Sequence, residues 1–297
     1  MKPFTAELMN TQFYIEVSDH TVPNWKKPIE EWLRYVDSQW SRFQKNNELD
    51  QINQAPKGTE LVLSPPLFEC IWLADQYRIK TRDRFSPYLK KALEQQGYSQ
   101  SFPFLSSEIT ALETFQIEDQ PFLFKEGHTV IKNTERQIDL GGIGKGYAVQ
   151  GAAKWLQEHG AAYGLVDGGG DMTVWSDGEK QWTISVADAW DNSKEVGVFK
   201  FKNASIATSN RVYRSWSKGE EHKHHLLDGR TGEVLQSDIV QATVIAESCV
   251  EAEVAAKMCF LLNGEEREQW FRDQMPHVHF LLIKEDGELV SKEIGHE

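Results

Sequence analysis

Cysteine is scarce in this chain. Cys70, Cys249 and Cys259 are odd in number and lack zinc-type spacing, which excludes a disulfide framework and reads as buried thiols in a reducing compartment. Long apolar runs are missing as well. No stretch approaches the ~18 residues of a membrane span, and the opening MKPFTAELMNTQFYIEV has no leader-like apolar core, so the expected location is the cytoplasm. Positive charge is in short supply: 32 Lys and Arg face 45 Asp and Glu, a net charge of −13 that repels a polyanion at long range. Nucleic acid is therefore not an expected partner, whereas a local nest of backbone N–H groups can still hold a small phosphorylated ligand. Internal repeats, low-complexity tracts and a Pro/Ser/Gly linker are absent, as are a P-loop GxxxxGK[ST] and a dinucleotide-type GxGxxG.

With 297 residues, 40% of them apolar, the chain can bury a large core. Phe13–Val17 reads as a first strand, and Trp25, Ile29, Trp32, Leu33, Val36, Trp40 and Phe43 recur at helical spacing. Ser64-Pro65-Pro66 opens a further helix, with Ser64 as the cap. Lys145–His159 reads as a helix closed by Gly160, and Tyr163–Val166 as a short buried strand. Trp182, Ile184 and Val186 alternate as in a half-buried strand. Val250–Leu262 predicts another helix, and Phe280–Val290, turning at Asp286-Gly287, a terminal hairpin. Strands and helices interleave without a strict βαβ rhythm, which favours an α+β class over a doubly wound parallel sheet.

The densest chemical signal is Asp139-Leu140-Gly141-Gly142-Ile143-Gly144-Lys145-Gly146. Its glycines let backbone approach a ligand, the following helix start offers N–H groups to phosphate, and Lys145 and Asp139 add charges. A tight structural turn is the competing reading. Asp167-Gly168-Gly169-Gly170-Asp171 after a buried strand needs either space or positive φ, or is a wide turn with capping aspartates. The His222–Gly232 stretch ends in a turn sequence. His222 and His224 could chelate a metal only with a third ligand that is not evident, and a histidine beside this turn could act as a general base. Glu253 and Lys257, four apart, read as a surface ion pair or, given their apolar neighbours, as a buried or cleft-facing pair.

Taken in order, these segments resemble the ApbE-type FAD:protein FMN transferases along nearly the whole chain. Met9-Asn10-Thr11 is similar to the family's MGT, and Trp40-Ser41-Arg42-Phe43 through Asn53 to its FSRF segment. Thr81–Pro87 resembles TDGAFDP, and Asp139–Val149 matches DLGGIAKGYAV almost letter for letter. Val166–Asp171 looks like NAGGD, Ala207–Ser209 like ATSG, and His225–Gly232 like HIIDPRTG. Ala242–Ala246 through Glu253 resembles TVIAP…AD.

The resemblance implies a single T-fold-like domain over 1–297 of mixed, mainly antiparallel sheets with packed helices, or two packed lobes divided near residues 130–160. It implies FAD as substrate, Mg²⁺ as metal, and transfer of the FMN half to a Thr or Ser hydroxyl of an acceptor flavoprotein with release of AMP. Asp139 and Lys145 would contact FAD, while Met9, Phe43, Arg84, Phe85 and Ser86 would line the flavin–adenine cleft. His225 would bind there and take the acceptor's proton. Gly142, through its carbonyl, with Glu253 and Lys257, occupies the family's metal positions. At the last two the family has Asp and Thr. Further departures are Asn10, Asp83 and Asn210 for Gly, Ser86 for Asp and Gly229 for Pro. Hydrolysis of FAD to FMN and AMP, and FAD binding without turnover, are the alternative activities.

Overall fold

The structure is a computed structural model and describes residues 3–19, 22–104, 108–114, 116–218 and 221–293. The chain folds as two compact units. Unit 1 comprises Met1–Tyr35, Lys145–Tyr213 and Gln236–Glu297, and unit 2 comprises Val36–Gly144 and Arg214–Leu235. One chain crossing falls inside the DLGGIGKG segment, between Gly144 and Lys145.

Unit 1 holds β1 (Phe4–Leu8), β2 (Thr11–Val17), most of α1 (Lys26–Gln39), α5 (Gly144–Glu158), β6 (Tyr163–Gly168) and β7 (Asp171–Ser176). It continues with β8 (Trp182–Ala187), β9 (Glu195–Phe201), β10 (Ala204–Asn210), β13 (Ile239–Ala246), α6 (Cys249–Leu261), α7 (Gly264–Gln274), β14 (His279–Lys284) and β15 (Leu289–Glu293). Eight strands form one antiparallel sheet in the order β1-β2-β6-β7-β10-β13-β14-β15. Every residue of β13 is buried, so this strand is covered on both faces. Trp182 and Ile184 of β8 pack with Val174, Ile206 and Ile245 on one face. The alternate residues Ala207 and Val244 point to the other, and α6 packs against β10 and β13. Trp32 on α1 donates its indole N–H to the Ala148 carbonyl (2.9 Å) and fits over Gly151, where a Cβ would sit 2.9 Å from the ring.

Unit 2 holds α2 (Glu48–Gln54), β3 (Glu60–Val62), α3 (Pro65–Lys80), α4 (Lys90–Gln95), β4 (Phe122–Lys125), β5 (Thr129–Lys132), β11 (Ser215–Lys218) and β12 (Glu221–His224). A three-stranded sheet runs β3-β5-β4, and β11 pairs with β12. Tyr98, Trp216, Leu93 and Leu227 centre a core that Phe102 and Phe104 extend. Beneath α2, the ammonium of buried Lys132 donates to the carbonyls of Ile52, Asn53 and Ala55 at 3.1, 3.2 and 2.7 Å, closing the C-terminal end of that helix.

The α+β class and the mainly antiparallel sheet agree with expectation, and three local readings need correction. Phe13–Val17 is not the first strand, because β1 precedes it; β1 is an edge strand of half-exposed residues and carries little hydrophobic signal. The helix expected to reach Phe43 stops at Gln39. There Asn47 donates to the carbonyls of Ser38 and Ser41 (3.0 and 2.8 Å) while its Oδ1 accepts the Asp50 N–H (2.7 Å), so one amide ends α1 and caps α2. Ser64 stands before α3 as expected, yet its hydroxyl donates to Glu48 at 2.7 Å rather than capping the helix.

Candidate active site

The glycine-rich segment delivers Lys145 and Gly146 to the first turn of α5 in unit 1. The Gly146 N–H, one of the donors a helix start leaves unpaired, donates to Glu253 Oε2 at 2.7 Å. A Cβ on Gly146 would stand 2.8 Å from both Glu253 Oε2 and the Cys249 carbonyl, so glycine is what allows the first turns of α5 and α6 to meet. The Glu253 side chain is 2% exposed, and its Oε1 faces the Lys257 ammonium at 3.3 Å, which also donates to the Glu253 carbonyl at 3.2 Å. The surface reading of this pair does not hold: Glu253 is buried and Lys257 partly buried on a helix that, apart from Glu251 in its first turn, is otherwise apolar, and the two charges meet each other.

Lys145 forms an ion pair with Asp171, whose side chain is 2% exposed. Asp167 to Asp171 is a hairpin turn: Gly169 and Gly170 both have positive φ (77° and 95°), and Asp167 Oδ1 accepts the Gly170 N–H at 2.9 Å. The third glycine answers a need for space, because a Cβ on Gly168 would lie 2.9 Å from Phe13 and Val149. Burial pushes the Asp167 carboxyl above its ordinary value, against the pull of the Gly170 and Gly169 N–H groups and Lys145. Burial, then the Glu253 charge, raise the Cys249 thiol strongly, and burial pushes Cys259 up to about 12, so neither supplies a thiolate nucleophile. Met9 and Asn10 (φ 50° and 60°) are the two-residue turn between β1 and β2. Asparagine tolerates that conformation and can replace glycine there, whereas Met9 is a strained position of the kind found at functional sites. Asn210 donates to Gln241 (2.9 Å) and Ala189 (3.3 Å) and accepts the Val212 N–H (2.6 Å), ending β10.

In unit 2, Asp139 at the start of the same segment accepts the Gly141 N–H (3.0 Å) and pairs with Arg42 Nε (2.9 Å). The Arg42 side chain is 4% exposed. Its guanidinium lies 4.3 and 4.4 Å from the ring centres of Phe43 and Tyr98, and Nη1 donates to the Tyr98 carbonyl at 2.7 Å. Its Nη2 is buried with no hydrogen-bond partner among the described residues. Phe43 itself is 38% exposed. Sequence reasoning does not single out Arg42, Tyr98 or Asp171 as site residues. Arg42 and Asp171 lie inside recognised motifs; Tyr98 lies outside any motif, and no sequence signal marks it.

Phe85 and Ser86 are buried: the Phe85 N–H is held by Thr81 Oγ1 (3.1 Å), and Ser86 Oγ accepts the Tyr88 N–H (3.2 Å). The Arg84 carbonyl accepts the Gly229 N–H at 2.8 Å, and a Cβ on Gly229 would overlap the Asp83 carbonyl. Proline at that position would have neither the N–H nor the room. His224 is buried, with Nε2 3.1 Å from the Leu235 carbonyl and Nδ1 accepting the Leu226 N–H at 3.3 Å, which commits both ring nitrogens and leaves no metal chelate with His222. His225 has Nδ1 3.3 Å from the Arg214 carbonyl; a neutral ring donating there carries its basic lone pair on Nε2.

The donor set around Glu253 does not fit Mg²⁺. One carboxylate oxygen takes a backbone N–H and the other faces an ammonium. A divalent ion 4 Å from that ammonium would be opposed by roughly 8 kcal/mol at an effective dielectric of 20. Among the described residues no group of three or more His, Cys, Asp or Glu could hold a metal ion.

Fold and site together define a mainly antiparallel α+β protein in which a glycine-rich loop opens a helix beside a buried carboxylate. The model of the ApbE family matches residues 9–282, and the chain belongs to that family. An FAD:protein FMN transferase of Treponema pallidum is 26% identical over 171 residues, 54% of this chain and 47% of that protein, so the chain matches about half of that relative's length. One from Chlamydia muridarum is 26% identical over 245 residues, 78% of this chain and 73% of the relative. The crystal structure of the ApbE protein of Thermotoga maritima superposes with a TM-score of 0.85 at 22% identity, over 100% of this chain and 99% of that one.

Proposed function

We propose that this chain is an FAD:protein FMN transferase. The observation that carries the reading is family membership over residues 9–282 with the DLGGIGKG loop intact at a helix start. In the reaction, a Thr or Ser hydroxyl oxygen of an acceptor flavoprotein bonds to the FMN-side phosphorus of FAD. The bond from that phosphorus to the bridging oxygen breaks, and AMP leaves with the electron pair. Such a reaction needs positioning and charge neutralisation more than a covalent enzyme intermediate.

Within that reading, the first turn of α5 and Lys145 meet pyrophosphate oxygens, and Asp139 contacts FAD. In unit 2, Phe43, Arg84, Phe85 and Ser86 would line the ligand. Arg42, whose guanidinium lies against both the Phe43 and Tyr98 rings, has the Nη2 donor to offer to a ligand acceptor. His225 takes the hydroxyl proton. No step is assigned to Mg²⁺. A cytoplasmic setting fits three buried free cysteines, and among the described residues no helix is long and apolar enough to cross a membrane.

The test is incubation with FAD and an acceptor carrying a short Thr-containing segment, following AMP release and flavin fluorescence of the acceptor in a denaturing gel. AMP together with a fluorescent acceptor is expected. AMP without one means water is the nucleophile, and bound FAD without AMP, with or without a divalent cation, would sink the enzyme reading.

A further inference from the structure

If FAD is the ligand, as the transferase reading has it, the pair formed by Glu253 and Lys257 bears on how the charge of its pyrophosphate is met. Three features of unit 1 converge. Glu253 is 2% exposed and directs Oε2 to the Gly146 N–H, so its position is set by the helix start rather than by an ion. The Lys257 side chain is 15% exposed, and its ammonium donates to the Glu253 carbonyl and Oε1, two of the three hydrogen bonds it can make. A Cβ on Gly146 would stand 2.8 Å from Glu253 Oε2 and from the Cys249 carbonyl, so the side of Glu253 that meets α5 is closely packed. The same helix start carries Lys145, a second ammonium, paired with Asp171.

We propose that the Lys257 ammonium stands where the family's divalent cation would act, so that this protein binds FAD and transfers FMN without Mg²⁺. An ammonium presents a full positive charge and up to three donors to phosphate oxygens, and unlike an ion it needs no ligands of its own. The acceptor hydroxyl proton goes to His225, the new bond is acceptor oxygen to FMN-side phosphorus, and the broken bond leaves its electrons on AMP.

FAD affinity, read by quenching of flavin fluorescence, tests this directly. Wild-type protein is expected to bind FAD equally well in EDTA and in Mg²⁺ and, with the Thr-containing acceptor present, to release AMP in EDTA. Lys257→Met is expected to weaken FAD binding about tenfold or more, as loss of a charge-assisted contact does. Lys257→Arg, which keeps the charge, is expected to retain binding in EDTA, and thermal melting of each variant separates a folding defect from a binding one. Lys257→Thr is expected to acquire a dependence on Mg²⁺ that the wild type lacks. Wild-type binding or AMP release that collapses in EDTA and returns with Mg²⁺ overturns the proposal while leaving the transferase reading intact. A wild type that binds no FAD in either condition overturns the transferase reading, and this proposal with it.

Discussion

Each unit buries a carboxylate against a cation, and the two sites are built differently. In unit 2, Arg78 donates to Asp75 (2.7 Å), Asp83 (2.6 Å) and the Asp119 carbonyl (2.9 Å), and Tyr88 donates to Asp75 at 3.0 Å. Burial alone would lower the hold of Arg78 on its proton, but Asp75 and Asp83 outweigh it and raise it above the ordinary value. In unit 1, Glu253 has one backbone N–H and one ammonium, and the side chain that carries the ammonium is 15% exposed. A cation whose three nitrogens all donate within the chain and whose side chain is 3% exposed holds structure, here the turn at Arg82 and Asp83 with positive φ that leads into Arg84–Ser86. A pair with a donor to spare can meet a ligand.

The sharpest way to break that contrast is Arg78→Met. It leaves Asp75 buried and uncompensated, with an expected loss of about 3–5 kcal/mol in chemical denaturation. A loss comparable to that of Lys27→Met, an exposed pair, would mean that the network is ornamental. Next comes Gly229→Pro, which restores the family residue. It removes the N–H that meets Arg84 and places a ring against the Asp83 carbonyl, so stability should fall by about 2–3 kcal/mol. A neutral outcome would show that the Thr81–Pro87 turn adapts freely, and the account of this departure would fail.

How much of this is legible in the sequence depends on whether a residue acts through its neighbours in the chain. The α+β class, α5, α6 and the terminal hairpin follow from periodicity, glycines and caps, which are local signals. Asn10 and the Gly169-Gly170 turn follow the same way, because positive φ restricts the residue types allowed. Partners across the fold are not legible. Nothing around Lys132 shows that its ammonium closes α2, and nothing around Asn47 shows that its amide ends α1. At the site, Asp139 and Lys145 stand out in the motif, but their partners Arg42 and Asp171 lie 97 and 26 positions away, a separation that only the fold resolves. The burial of Glu253 is readable as one option, since the residues around it on the helix are apolar.

Two smaller changes probe unit 1. Gly146→Ala would push a methyl to 2.8 Å from Glu253 Oε2 and the Cys249 carbonyl, costing about 1–2 kcal/mol by overpacking. Because the displaced carboxylate carries Lys257 with it, FAD affinity should drop as well, and unchanged affinity in a folded protein would separate Glu253 from the ligand site. The smallest effect is expected from Asp167→Asn. The folded-state value of Asp167 is raised by burial, so the stability it contributes is complete below the unfolded carboxylate value, near pH 3.8, and is lost as pH rises through the higher folded value. Asparagine keeps the acceptor for the Gly170 N–H and cannot ionise. The variant should therefore show a flatter stability profile across the acid range and be slightly more stable than wild type at neutral pH. If it is instead less stable at neutral pH, the Asp167 charge has a net favourable partner in Lys145, and the pairing of Lys145 would have to be divided between Asp167 and Asp171.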